Sequence, residues 1–239
     1  MNKFEEFFKD NLNTLTITKW HHYLNIYDRH FARYKNTTPN ILEIGTGGGG
    51  SAEMLNYYFN GKCTIVTFDG TDWGQAVEKY PNIKYLHGLQ DDIAFLKTLK
   101  TIYGKFDIII DDASHEMVKT ITSFKELYEQ LSDTGTYLIE DTHTSYWSEY
   151  LGGVETAGTL VEFTKKLIDK LNIWHWRQPF MNDDLTFCKT TDSIHYYDSV
   201  IVIEKRPAAE KPICERKEPA GNGGRVWDDN RDWLHNLLK

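Results

Sequence analysis

The chain is poor in cysteine and in positive charge, and it lacks long apolar runs. Its three cysteines, Cys63, Cys188 and Cys214, are widely spaced and odd in number, so neither a disulfide framework nor a zinc-ligand pattern can be drawn. A reducing, cytoplasmic setting fits that usage. Lys and Arg total 27 against 35 Asp and Glu, a net charge of −8, which argues against nucleic-acid binding through a basic surface. No stretch approaches the roughly 20 apolar residues of a membrane span. The N-terminal "MNKFEEFFKDNLNTLTITKW" has no apolar signal core. No internal repeat is present. What remains is a globular composition, 40% hydrophobic and 26% charged, in a length of 239 residues that suits one α/β domain with additions.

The periodicity divides the chain into three parts. Residues 1–38 read as an amphipathic helical cap, with aromatics at helical spacing in "FEEFFKDNL" and "WHHYLNIYDRHFARY". Residues 39–205 alternate strand and helix. Strands are expected at "NILEIG", "CTIVTFD", "IKYLHG", "FDIIIDD" and "GTYLIED", and helices at 51–59, 91–99, 118–131 and 159–171. "DLTFCK" and "HYYDSVIVIEK" read as a final antiparallel strand pair. This pattern predicts a doubly wound, mostly parallel seven-stranded sheet of Rossmann-like type. Residues 206–239, rich in Pro, Gly and charge, read as an extended arm, with a short helix at "RDWLHNLL".

In such sheets ligands sit beyond the carboxyl ends of the strands, and there this chain concentrates its unusual residues. "EIGTGGGGS" (43–51) follows a strand and opens a helix, so its backbone can approach a ligand and its N–H groups can face an anion. Gly45, Gly47 and Gly50 satisfy G-x-G-x-x-G, and Asp69 ends the next strand 24 residues after Gly45, where a ribose-binding acid belongs. Spacing alone admits a nicotinamide dinucleotide or S-adenosylmethionine. Glu43, two residues before the first glycine, suits a cofactor with a cationic amino-acid end better than a pyrophosphate. Asp111, Asp112, Glu140 and Asp141 end two expected strands. Carboxylates gathered at one sheet edge repel one another, and a divalent cation such as Mg²⁺, or Mn²⁺, relieves that conflict. Helix capping by one acid of each pair, with the other solvated, is the structural alternative. His115, three residues past Asp112, is a candidate base or a hydrogen-bonding residue at a helix start; His143 competes for the first role.

"ILEIGTGGGGS" resembles the glycine-rich first motif of class I methyltransferases. "FDIIIDDASH" followed by "GTYLIEDTHTSYW" resembles the metal-dependent O-methyltransferases that act on deoxysugars of macrolides and related natural products, the mycinamicin and rhamnosyl type. "KWHHYLNIYDRHFARY" and "SIHYYDSVIVIEK" are similar to that family's flanking segments, so the resemblance covers residues 19–205. It implies S-adenosylmethionine held by Glu43, Gly45, Gly47 and Asp69, with Gln90 and Asp91 beside the adenine. It implies Mg²⁺ on Asp112, Glu140 and Asp141, with His115 as the general base. Asp111 would stand behind the ligands or turn toward the cofactor. The acceptor would be a sugar hydroxyl, free, nucleotide-linked or glycoside-borne, and a homo-oligomer is expected. The chain departs from the family at Leu89 and Ala113, where aspartate and glycine are common in it. A methyltransferase-like partner acting on a non-sugar acceptor in antibiotic biosynthesis remains an alternative. So do a non-catalytic scaffold and an NAD-dependent sugar oxidoreductase, though the nearest match to a Tyr-x-x-x-Lys pair, "YEQLS", lacks the lysine.

Overall fold

The computed structural model describes residues 1–176, 184–216 and 225–227. Helix α1 (Lys3–Lys9) starts at a capping box in which Asn2 and Glu5 satisfy each other's backbone N–H groups. Helix α2 (Tyr23–Phe31) turns Tyr23, Tyr27 and Phe31, at i, i+4 and i+8, to the interior. The sheet follows: β1 (Asn40–Ile44), β2 (Thr64–Asp69), β3 (Ile83–His87), β4 (Phe106–Asp111) and β5 (Leu131–Ile139). Between and after these strands run α3 (Gly50–Tyr58), α4 (Ile93–Tyr103), α5 (Met117–Leu127) and α6 (Leu160–Leu171). The short α7 (Thr186–Thr190) leads into β6 (Thr191–Tyr197) and β7 (Val200–Lys205).

Strand order is β3-β2-β1-β4-β5-β7-β6, parallel through β5 and antiparallel at β7 and β6. The doubly wound seven-stranded sheet is therefore as expected, with one local correction. "DLTFCK" is not a strand: it contributes α7, and the final hairpin lies wholly within residues 191–205. A separate two-stranded ladder pairs β8 (Cys214–Arg216) with β9 (Arg225–Trp227). The helix expected at "RDWLHNLL" and most of the C-terminal segment lie outside the described residues. Among the described residues no helix is long and apolar enough to cross a membrane.

Strand alternation supplies two apolar faces. Ile41, Ile108, Ile110, Leu138 and Val202 pack with α1, α2 and α3. Leu42, Ile109, Tyr137, Ile139 and Ile203 pack under α4, α5 and α6. The N-terminal helices thus belong to the same core as the sheet. Chain crossovers leave β1 and β4 in opposite directions, which opens a cleft beyond their carboxyl ends. Between α1 and α2 the chain is not helical. It lies across the glycine turn as a strap, with a bridge between Thr16 and Gly49.

Candidate active site

The turn after β1 divides the cleft. Gly45, at φ +91°, lies so close to β4 that a Cβ would sit 2.2 Å from the Asp112 carbonyl oxygen. Gly47, at φ +49°, faces open space, and its N–H donates to Asp69 Oδ2 (3.0 Å). On one side lies a cavity of about 300 Å³ lined by Gly45, Gly47, Asp69, Leu89, Gln90, Asp91 and Asp112 among others. On the other lies one of about 320 Å³ lined by Lys19, Gly45, Gly47, Ser51, Trp73, Asp112, His115 and Asp141. A smaller recess of about 220 Å³ is lined by Trp20, Tyr23, Asp112, Glu140 and Asp141 among others.

The expected cofactor residues divide into walls and supports. Gly45, Gly47, Asp69, Gln90 and Asp91 line the first cavity. Asp91 is exposed there, and the cap of α4 is its neighbour Asp92, whose side chain accepts from the Phe95 N–H (3.0 Å). Gln90 is clamped at both ends: Nε2 donates to Asp111 (2.7 Å), and Oε1 accepts from the Ser114 hydroxyl (2.6 Å). Asp111 does not reach a cavity. It is buried under α5, accepts from Gln90, Ser123 and Tyr137, and is pushed up to about 7 by burial. Glu43 is fully buried on the opposite sheet face. Burial raises it to about 7, against the pull of the Ser51 hydroxyl and Lys19. Thr67 donates to one of its oxygens (3.0 Å), while Oε1 has no well-formed hydrogen bond among the described residues.

Beyond the ends of β4 and β5 the acids converge. Asp112 Oδ1 and Asp141 Oδ2 face His115 Nε2 at 3.9 and 3.5 Å, and one ligand atom from each residue lies within 4.8 Å of the others. His115 and Asp141 both sit in the left-handed region, at φ +56° and +49°. Such non-glycine residues cost about 1–3 kcal/mol each and cluster at functional sites. Glu140 is joined to Asp112 by the Lys19 ammonium, which contacts both carboxylates. One Glu140 oxygen accepts from the Lys19 ammonium (2.7 Å) and the other from the Tyr27 phenol. Burial, then the Asp112 charge, raise the Glu140 pKa, while the Lys19 ammonium and the hydrogen bonds from Lys19 and Tyr27 favour its ionised form. Tyr23 donates to Asp141 Oδ1 (2.6 Å). His143 is farther from the acids, with Nδ1 on the Ser199 hydroxyl (2.7 Å) and 3.9 Å from Asp141.

No protein-family model matches the chain. An 8-demethyl-8-alpha-L-rhamnosyl tetracenomycin-C 2′-O-methyltransferase of Streptomyces olivaceus is 31% identical over 198 residues, covering 79% of this chain and 52% of that protein. The mycinamicin VI 2″-O-methyltransferase of Micromonospora griseorubida is 34% identical over 193 residues, covering 75% and 47%. The chain is similar to these sugar O-methyltransferases. A solved methyltransferase of the mycinamycin biosynthetic pathway, in complex with Mg and S-adenosylhomocysteine, superimposes with a TM-score of 0.78 at 30% identity, over 86% of this chain and 55% of that one. The chain spans about half the length of the curated relatives it matches.

Three residues of the acid site carry no separate sequence signal. Lys19 is one of 27 basic residues and precedes a helix. Tyr23 and Tyr27 have the i, i+4 spacing of ordinary core aromatics, and only the fold shows their hydroxyls ending on Asp141 and Glu140. The glycine run also misleads in part. A Cβ at Gly48 or Gly50 would meet Thr16 at 2.7 or 2.6 Å, so these two glycines admit the strap rather than a ligand.

Proposed function

We propose that the protein is an S-adenosylmethionine- and Mg²⁺-dependent O-methyltransferase whose acceptor is a sugar hydroxyl, glycoside-borne or nucleotide-linked. The observation that carries this reading is the shared wall: Gly45, Gly47 and Asp112 border both the cavity of the glycine turn and the cavity of the acids and His115. A cofactor on one side and an acceptor on the other would therefore meet at that turn. Relatives named for sugar O-methylation support the acceptor class.

The residues present fit both groups. Gly47 leaves room for close approach; Asp69 would bind the ribose hydroxyls and Asp91 the adenine, both lining the same cavity. Glu43, fully buried and lining none of these cavities, would act from behind the glycine turn through the Thr67 hydroxyl (3.0 Å). Gln90 and Asp111 act as supports, because their hydrogen bonds tie residues 90 and 114 together. Asp112 Oδ1 and Asp141 Oδ2, hard donors with no described partner nearer than His115, suit a divalent ion. Glu140 shapes the site from behind through Lys19 and Tyr27.

When bound, the cofactor supplies an electrophilic sulfonium methyl, and the divalent ion acidifies and orients the acceptor hydroxyl. His115 Nε2 takes the hydroxyl proton, its backbone fixed at φ +56° and its carbonyl accepting from the Thr144 hydroxyl (3.2 Å). The strap and Trp73 wall the second cavity, limiting the approach of the acceptor to one side. The test is transfer of label from methyl-tritiated S-adenosylmethionine to a panel of rhamnosides and sugar nucleotides, with and without EDTA. Labelling that survives exhaustive metal removal would overturn the metal assignment. Labelling of none of the sugars, by protein that binds S-adenosylhomocysteine, would overturn the acceptor class.

A further inference from the structure

The Lys19 ammonium sits deep in an acid site, with its side chain 2% exposed, bridging Asp112 and Glu140. An ammonium is costly to bury unless it is paired, and both of its partners here are carboxylates. Its position is imposed by the strap that carries it. Glu53 on α3 accepts from the Thr14 N–H (2.8 Å), the Thr14 hydroxyl (2.5 Å) and the Leu15 N–H (3.0 Å). The Gly50 N–H then donates to the Thr16 carbonyl (3.0 Å). After Lys19, the Tyr23 N–H donates to the Trp20 carbonyl (3.0 Å), and α2 begins. The ammonium is therefore anchored on both sides within a few residues.

Its two carboxylate contacts divide the cluster. Asp112 gives Oδ2 to Lys19 and keeps Oδ1 toward His115 and Asp141. Glu140 accepts at both oxygens, from an ammonium and from a phenol, which is the arrangement of an ionised carboxylate. With all three carboxylates ionised, the three acids and the one ammonium carry a net charge of −2, which one divalent ion balances.

We propose that Lys19 is a positioning residue acting as a tethered counter-cation: it fixes Asp112 and Glu140 and sets the charge of the site to that of a divalent ion. The inference rests on the reading of this cluster as a cation centre. Without Lys19 the site holds an excess negative charge. Coulomb attraction then strengthens cation binding, more for a trivalent than for a divalent ion. The same excess opposes loss of the acceptor proton, so turnover falls while cation affinity rises. A residue that served only as scaffold would lower both together.

The experiment compares the full-length wild type with Lys19→Met and Lys19→Gln, the glutamine keeping N–H donors for both carboxylates should the methionine variant fail to fold. Mn²⁺ binding is read by the paramagnetic resonance of the free ion. Tb³⁺ binding is read by luminescence sensitised from the nearby Trp20 and Tyr23. Folding is checked by circular dichroism and by S-adenosylhomocysteine affinity. The expected result is Mn²⁺ binding about ten-fold tighter, a larger gain for Tb³⁺, and kcat lower by about ten-fold. Weaker or unchanged Mn²⁺ binding in a folded variant, or an equal gain for both ions, overturns the proposal. A wild type that binds neither ion instead overturns the cation-centre reading beneath it.

Discussion

Asp111 and Asp112 are neighbours in sequence but have opposite environments. Asp111 is the last residue of β4 and shares its face with Ile109, so it points under α5. Asp112 lies past the strand and opens to the cleft. The alternation along "FDIIIDD" held that distinction; what it could not show was that Gln90 and Ser123 would receive the buried acid. Asp111 is raised to about 7 from an ordinary 3.8. It holds a proton more tightly folded than unfolded, so its contribution to stability is full below about pH 4 and is lost as pH rises through about 7. Replacing it by asparagine should remove that loss. In urea titrations from pH 4 to 8, Asp111→Asn should gain on the wild type as pH rises, by a few kcal/mol at about pH 8. A constant difference across the range would refute the burial argument. His115 and His143 are separated by geometry alone. His115→Asn should lower kcat by about 10²–10⁴-fold with S-adenosylhomocysteine affinity unchanged. His143→Asn should cost far less, since its Nδ1 is committed to Ser199. The reverse order of losses would exchange the two roles.

At the scale of elements, the strands and long helices were legible because their periods are unmistakable, and the acids at strand ends were legible because β4 and β5 stop there. The strap was not. Residues 13–18 carry no periodicity, and their course depends on Glu53 and on two glycines that read as part of a ligand loop. "DLTFCK" was misread because a five-residue helix is too short to display its period against β-favouring Phe and Thr. The division of labour among the glycines has a direct consequence. Gly50→Ala should push Thr16 aside, destabilising the fold by about 1–3 kcal/mol and loosening Lys19 from the acids. Gly47→Ala meets no neighbour within 4 Å and should cost only about 1 kcal/mol of backbone strain. Its methyl group would project into the cofactor cavity. Calorimetric titration should therefore show a larger loss of S-adenosylhomocysteine affinity in Gly47→Ala, and thermal melts a larger loss of stability in Gly50→Ala. An inverted pattern would mean that the strap and ligand roles of these glycines are exchanged.

For the whole molecule, the sheet places two cavities on opposite sides of one glycine turn, which share Gly45, Gly47 and Asp112 and otherwise draw on different parts of the chain. The cavity proposed for the cofactor draws on the ends of β1, β2, β3 and β4 and on α5. The acid site draws on the strap, β4, β5 and α2. Asp112 is the hinge between them, since its carbonyl abuts Gly45 and its carboxylate faces His115. A ligand that binds only the folded state stabilises it by about 2.7 kcal/mol at a hundred-fold excess over Kd, so each site can be read from the melting temperature. Wild-type protein should respond to S-adenosylhomocysteine and to Mg²⁺ separately. Asp112→Asn/Asp141→Asn should lose the Mg²⁺ response and keep the cofactor response, because the substitutions leave the Gly45 contact and the Asp69 hydrogen bonds in place. Asp69→Asn should do the opposite, weakening the cofactor response while Mg²⁺ still stabilises. If either variant lost both responses, the two cavities would be a single cooperative site, and the turn between them would join the ligands rather than separate them.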